Sequence, residues 1–254
     1  MENLSENIIH PEISLDGFLR FISSSKEFEY KFISFNDLTK HDKCIILRHD
    51  VDFGLIDYAY DMAKIEQSHA IVGTYFLMLR NPLYNLFAKK NYAMVREIID
   101  MGHHIGLHFD PSFYPLEGSV DKLYSFIREE IRVLSRLFDK NIYYFSIHKP
   151  LASMIRNNII SVNEFESVYN KEYFRDIKYM SDSCGRWRGP SIIEIVKSKR
   201  HDKIQLLVHP ALWMETRGNR LKDRIRAIVD KKCSHMEIEL RDTVNDANRK
   251  IYLV

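Results

Sequence analysis

Histidines and aspartates recur in this sequence at the ends of short apolar runs, residue types that bind metal ions and move protons. The runs read Cys44-Ile45-Ile46-Leu47-Arg48-His49-Asp50-Val51-Asp52, Gly102-His103-His104-Ile105-Gly106-Leu107-His108-Phe109-Asp110, Tyr143-Tyr144-Phe145-Ser146-Ile147-His148 and Gln205-Leu206-Leu207-Val208-His209-Pro210. Asp50 and Asp52 are two residues apart, so on an extended segment they point the same way with Cα atoms about 7 Å apart. One carboxylate can then ligate a metal while the other accepts a proton, and His49 faces the opposite side. The structural alternative is that these acids cap the next helix, with Gly54 easing the turn. It is the weaker reading, because burying two neighbouring carboxylates at a strand end is costly without a cation beside them.

His104 and His108 have the spacing of a helical two-histidine chelate, but Ile105-Gly106-Leu107 between them reads as strand. Four residues of strand span about 13 Å, against metal–nitrogen bonds of about 2 Å, so one ion cannot take both. His108, at the carboxyl end, is the better ligand. His148 and His209 each end an apolar run, before Lys149-Pro150 and Pro210 respectively. A lone histidine in such a place is usually a satisfied core or edge residue, yet four runs ending alike make chance placement a poor explanation. The polar segment Ser181 to Pro190 is a candidate loop over the site, with Trp187 offering a flat face for a sugar ring and Arg186 and Arg188 able to hold carboxylates. Trp213 lies beside the last run end and is a further candidate for contact with the substrate.

These residues need parallel strands whose carboxyl ends share one face, where active sites of such folds sit. The patterning predicts strands at Cys44 to Leu47, Ile71 to Leu79, Ile105 to Leu107, Ile142 to Ile147, Ile177 to Met180 and Ile204 to Val208. Helices are expected after Ser14, over Ile56 to Glu66, from Pro82 to Gly102, over Ser191 to Lys197, and over Val120 to Phe138. The last carries Leu123, Ile127, Ile131, Leu134 and Phe138 in one stripe. Alternating strand and helix argues for an α/β fold with parallel strands. Met236 to Val254 is a candidate helix packing against the barrel, and basic Arg217 to Lys232 reads as a solvated helix face.

The chain has 254 residues, 45% hydrophobic and 28% charged, with net charge +2. That suits a single soluble domain, residues 1–254, and gives no global field pointing to nucleic acid. No secretion signal and no apolar run of membrane-spanning length is apparent, so the cytoplasm is the expected compartment. Cys44, Cys184 and Cys233 lack disulfide or zinc spacing.

The motifs resemble the polysaccharide deacetylase (NodB-homology, carbohydrate esterase family 4) superfamily, from about residue 44 to 210. Leu47-Arg48-His49-Asp50-Val51-Asp52 looks like its first motif, Gly102 to His108 its second with His104 replacing Glu, and Leu206-Leu207-Val208-His209 its last. The resemblance implies a deformed (β/α) barrel of the NodB type with outer helices, and a divalent metal, zinc first and cobalt, nickel or manganese as alternatives. It implies that Asp50 is the base, Asp52 and His108 metal ligands, His209 the general acid and Asp182 the residue orienting His209. The family's second metal histidine falls here on Ser112. His148 is expected to supply that ligand, with Asp110 in reserve and His104 a weaker candidate. The third-motif arginine is also absent, so Arg186 or Arg188 is expected to orient Asp50.

The implied function is a hydrolase removing an N- or O-acyl group from a sugar or glycan precursor, in a divergent branch resembling surface-polysaccharide biosynthesis deacetylases. Two alternatives are a non-catalytic sugar-binding member of the fold and an all-helical phosphohydrolase using His49-Asp50 as adjacent ligands.

Overall fold

Every residue from Cys44 to Val51 is buried, because this strand runs through the middle of a nine-stranded sheet. The computed structural model describes residues 7–115, 120–150, 161–162 and 165–251. Its strands are β1 (Lys31–Ile33), β2 (Cys44–Val51), β3 (Thr74–Leu77), β4 (His104–Phe109), β5 (Tyr144–Ile147), β6 (Ser161–Val162), β7 (Phe165–Ser167), β8 (Lys178–Ser181) and β9 (Lys203–Val208). They run in the order β6-β7-β5-β4-β3-β2-β9-β8, with β1 pairing the first half of β2. All pairings are parallel except β6 with β7. The helices are α1 (Leu15–Glu27), α2 (Ile56–Ser68), α3 (Lys89–Asp100), α4 (Val120–Phe138), α5 (Lys171–Phe174), α6 (Ile192–Ser198), α7 (Pro210–Met214) and α8 (Leu221–Ile251). The result is a parallel half-barrel surrounded by helices, a deformed (β/α) barrel of the NodB type.

Local chemistry accounts for the element boundaries. Ser14 caps α1 by accepting from the Gly17 amide, and Ser191 with Glu194 forms a capping box at α6. The predicted stripe of α4 is buried, with Ile127, Leu134 and Phe138 fully inaccessible against Phe109 and Phe145. Phe18, Phe21, Leu47, Leu206 and Trp213 fill a second core region.

The structure corrects three sequence expectations. Pro82 does not open a helix; residues 80–88 form turns tied by the Asn81 and Asn85 side chains, and α3 begins at Lys89. Residues 217–220 precede the helix, and the stretch from Leu221 to Lys232 joins the C-terminal segment as far as Ile251 into one helix, α8, whose residues 236–245 are exposed instead of packed on the barrel; residues 252–254 lie outside the described residues. The parallel sheet also removes the all-helical phosphohydrolase alternative, and β2 turns His49 and Asp50 to opposite faces.

Candidate active site

Parallel pairing of β2, β4, β5, β8 and β9 brings Asp50, Asp52, His108, His148, Asp182 and His209 to one end of the half-barrel. Asp52, His108 and His148 form a cluster whose ligand atoms all lie within 4.8 Å of one another. His148 Nδ1 is 2.9 Å from Asp52 Oδ2, His108 Nε2 is 3.4 Å from the same oxygen, and the two ring nitrogens are 3.3 Å apart. Bonds of 2.0–2.1 Å in a tetrahedron place neighbouring ligand atoms about 3.3 Å apart, so these residues fit a zinc-like ion.

The network around His108 fixes which nitrogen faces the cluster. Ser146 Oγ lies 3.3 Å from Asp50 Oδ1 and 2.7 Å from His108 Nδ1. A carboxylate only accepts, so the single hydroxyl proton goes to Asp50 and Ser146 accepts from His108 Nδ1–H. His108 Nε2 is left with a lone pair toward Asp52 and His148, the outer-shell arrangement that orients metal-bound histidines.

Asp50 is buried, and Arg48 grips it bidentately, Nε to Oδ1 at 2.9 Å and Nη2 to Oδ2 at 2.6 Å. Burial opposes ionisation, but the Arg48 guanidinium and neighbouring His108 outweigh it and hold the Asp50 carboxyl below its ordinary value. Arg48 is itself fully buried and donates to the Tyr169 hydroxyl at 3.0 Å. The expectation that Arg186 or Arg188 orients Asp50 is therefore corrected. Both of those side chains are exposed on the loop after β8, while the cation on Asp50 comes from its own strand. Arg48 was legible in principle, since residues two apart on a strand share a face.

Across the site, Asp182 is fully buried and accepts from His209 Nδ1 at 2.5 Å, from the His209 amide at 2.8 Å and from Trp213 Nε1 at 2.7 Å. His209 Nε2 then points inward, 3.8 Å from Asp52 Oδ1. Burial works against charge on this ring, but Asp182 and Asp52 more than offset it and raise His209 to about 10. Trp213 is completely buried, so the expectation that it touches substrate is corrected: it supports Asp182 from behind. Trp187 is half-buried with its ring 6.0 Å from that of Trp213.

The remaining candidates fall away from the cluster. His104 is exposed at the start of β4. Asp110 caps the turn at Pro111–Phe113, accepting from the Ser112 amide and hydroxyl. Among the described residues no metal-binding group besides Asp52, His108 and His148 is found. The sequence reading missed the roles of Arg48, Ser146 and Tyr169.

No protein-family profile and no curated protein matches the chain. Solved structures do. It is similar to a mutant of BA3943, a CE4 family pseudoenzyme from Bacillus anthracis with restored enzymatic activity, at 15% identity and TM-score 0.45 over 76% of this chain and 64% of that one. The chain thus spans less than two thirds of that structure's length. It is also similar to a D285S mutant of the peptidoglycan deacetylase PdaC from Bacillus subtilis, at 11% identity and TM-score 0.46 over 82% and 97% of the two chains. A family 4 carbohydrate esterase from Streptomyces lividans, in complex with acetate, matches at 15% identity and TM-score 0.46 over 76% and 90%.

Proposed function

We propose that this protein is a metal-dependent deacetylase that hydrolyses an N-acyl or O-acyl group on a sugar or glycan precursor. The observation that carries this reading is the convergence of Asp52, His108 and His148, with Asp50 on one side and His209 on the other. Those three residues would hold the ion, zinc or, failing that, cobalt, nickel or manganese. Such an ion acidifies bound water and polarises a carbonyl oxygen.

The chain's own residues supply the proton transfers. A carboxylate has about four lone-pair positions; Arg48 and Ser146 occupy three on Asp50, leaving one on Oδ2 to take a proton from water. Asp182 holds His209 Nδ1, so Nε2 is the atom that delivers a proton to the departing amine or alcohol. Arg48 and Asp182 act as positioning residues, each locking one proton-transfer partner. Trp187, Arg186 and Arg188, on the loop beyond β8 at the same end of the sheet, would contact the sugar.

Acetate release tests the reading, using zinc-loaded protein and a panel of N-acetylhexosamines as free sugars, oligomers and nucleotide-linked forms. Release by the wild type, reduced about 10²- to 10⁴-fold in Asp50→Asn with metal retained, is the expected result. Sugar binding without acetate release from any member of the panel would overturn it in favour of a non-catalytic sugar-binding protein.

A further inference from the structure

Beyond the barrel, α8 carries an apolar stripe that is left exposed among the described residues. Val229, Met236, Leu240 and Val244 are 47%, 49%, 66% and 58% exposed, and Cys233 between them is exposed as well. At 3.6 residues per turn these five positions fall within an arc of roughly 80°. As far as His235 the opposite face is turned to the barrel: Leu221, Arg224, Ala227 and Ile228 are buried, and His235 sits 3.8 Å from Asp57 of α2. Beyond it residues 236–245 are exposed all round, and Ile238, on that opposite face, is 55% exposed. The spacing of Val229, Cys233, Met236 and Leu240, alternating four and three, is that of a coiled-coil seam.

The charges bordering the stripe identify its partner. Lys232 and Glu239 line one side, and Asp230, Glu237 and Arg241 the other. A membrane-surface helix would carry a predominantly basic border, which this is not. When the helix is laid antiparallel on a second copy, crossing between His235 and Met236, Lys232 comes level with the partner's Glu239 and Asp230 with the partner's Arg241. The two-fold axis repeats both pairs. Val229 then falls between the partner's Leu240 and the partner's Val244, and Cys233 between the partner's Met236 and the partner's Leu240, so knobs meet holes. A parallel arrangement keeps only Lys232 opposite the partner's Glu237 and sets Glu239 against an apolar valine.

We infer that α8 dimerises the protein as an antiparallel two-helix coiled coil between two copies of this chain, through Val229, Cys233, Met236, Leu240 and Val244. This surface lies outside the proposed active site and stands independently of it. The interface is isologous and closes on itself, as a two-fold dimer requires.

Light scattering on the full chain after size-exclusion chromatography tests the inference. The expected mass is twice the 30.2 kDa of one chain, falling to a single chain in Leu240→Glu and Met236→Glu with thermal unfolding of the barrel unchanged. Lys232→Glu should weaken the dimer at least about tenfold, and the double variant Lys232→Glu, Glu239→Lys should restore it, because antiparallel pairing only exchanges the two signs. Wild-type protein that is monomeric at its highest soluble concentration would overturn the proposal, as would dimers untouched by Leu240→Glu. Oxidation in a Cys184→Ser background separates the two orientations. The antiparallel seam offsets the two Cys233 residues by about five positions, roughly 7.5 Å along the axis, too far for a disulfide. Dimers cross-linked through Cys233 would therefore contradict the antiparallel arrangement.

Discussion

Strand β2 carries histidine–carboxylate clusters on both of its faces, built from nearly the same residue types. On one face Arg48, Asp50 and Asp52 meet His108, His148 and His209. On the other, His49 Nε2 lies 2.7 Å from Glu66 Oε1, and the Tyr75 hydroxyl donates to Glu66 Oε2 at 2.8 Å. The Tyr75 ring stacks on His49 with centroids 4.3 Å apart. His103 completes this second cluster, accepting from the Gly73 amide at Nδ1 and donating from Nε2 to the Ala63 carbonyl. His49 and Glu66 are wholly inaccessible, and a methyl group on Gly73 would come within 2.9 Å of His49 Nε2. The first cluster differs in two ways. The side chains of Asp52, His148 and His209 stay 11%, 20% and 13% exposed, and the possible ligand atoms of Asp52, His108 and His148 lie within 4.8 Å of one another. Residue type does not separate the proposed metal site from the closed cluster; access from solvent and the gathering of three ligand atoms do.

The contrast makes opposite predictions for the two faces. Asp50→Asn should reduce turnover about 10²- to 10⁴-fold, the usual range for losing a general base, with metal content per folded chain near wild type. Measured kcat alongside metal content checks this, and full turnover in the variant would remove Asp50 from the chemistry. Glu66→Ala should do the reverse. Leaving His49 buried without its partner should cost about 3–5 kcal/mol in urea unfolding, while metal per folded chain stays at the wild-type level. A variant that lost metal but not stability would erase the distinction between the faces.

Ser146→Ala touches the open cluster indirectly. It frees His108 Nδ1 from its partner, and an outer-shell loss of this kind typically weakens metal binding about 10- to 100-fold. Competition with a chelator of known affinity measures the change; no change would mean that Ser146 does not set the His108 tautomer.

A third, closed cluster gives the smallest effect. Glu215 is buried but accepts from Tyr58 Oη, from the Arg217 amide and from Nε and Nη2 of Arg217, which override burial and lower its carboxyl from 4.5 to about 2. A depressed folded value means the stabilisation is present above the unfolded value near 4.5. It is lost as pH falls through the window down to about 2. Glu215→Gln should therefore flatten the stability-against-pH curve in that acidic window and leave the metal site unchanged.

Much of the fold is legible because apolar runs and the α4 stripe follow simple periodicities. Cys44 to Leu47 and Ile204 to Val208 fall within the observed strands β2 and β9. Strand edges shifted because ladder pairing carries backbone past the apolar residues, as in β2, which continues through Arg48, His49 and Asp50 to Val51. The short strands β1, β6 and β7 have too few residues to show a period. At the site, Asp52, His108 and His148 were each identified at a strand end, and the structure brings them together. Arg48 is hard to assign because arginine is rarely fully buried, and what permits it here, the bidentate grip on Asp50 two residues along the same strand, shows only once the strand is built. Trp213 misled because its position beside His209 says nothing about which way its ring turns.

Metal content per chain is the most direct test of the account, measured by mass spectrometry on wild type and His148→Ala purified side by side without chelators. The account predicts about one zinc-like ion in the wild type and little in the variant. A wild-type protein that binds no metal even after zinc is supplied, or a His148→Ala variant that keeps a full complement, would contradict it.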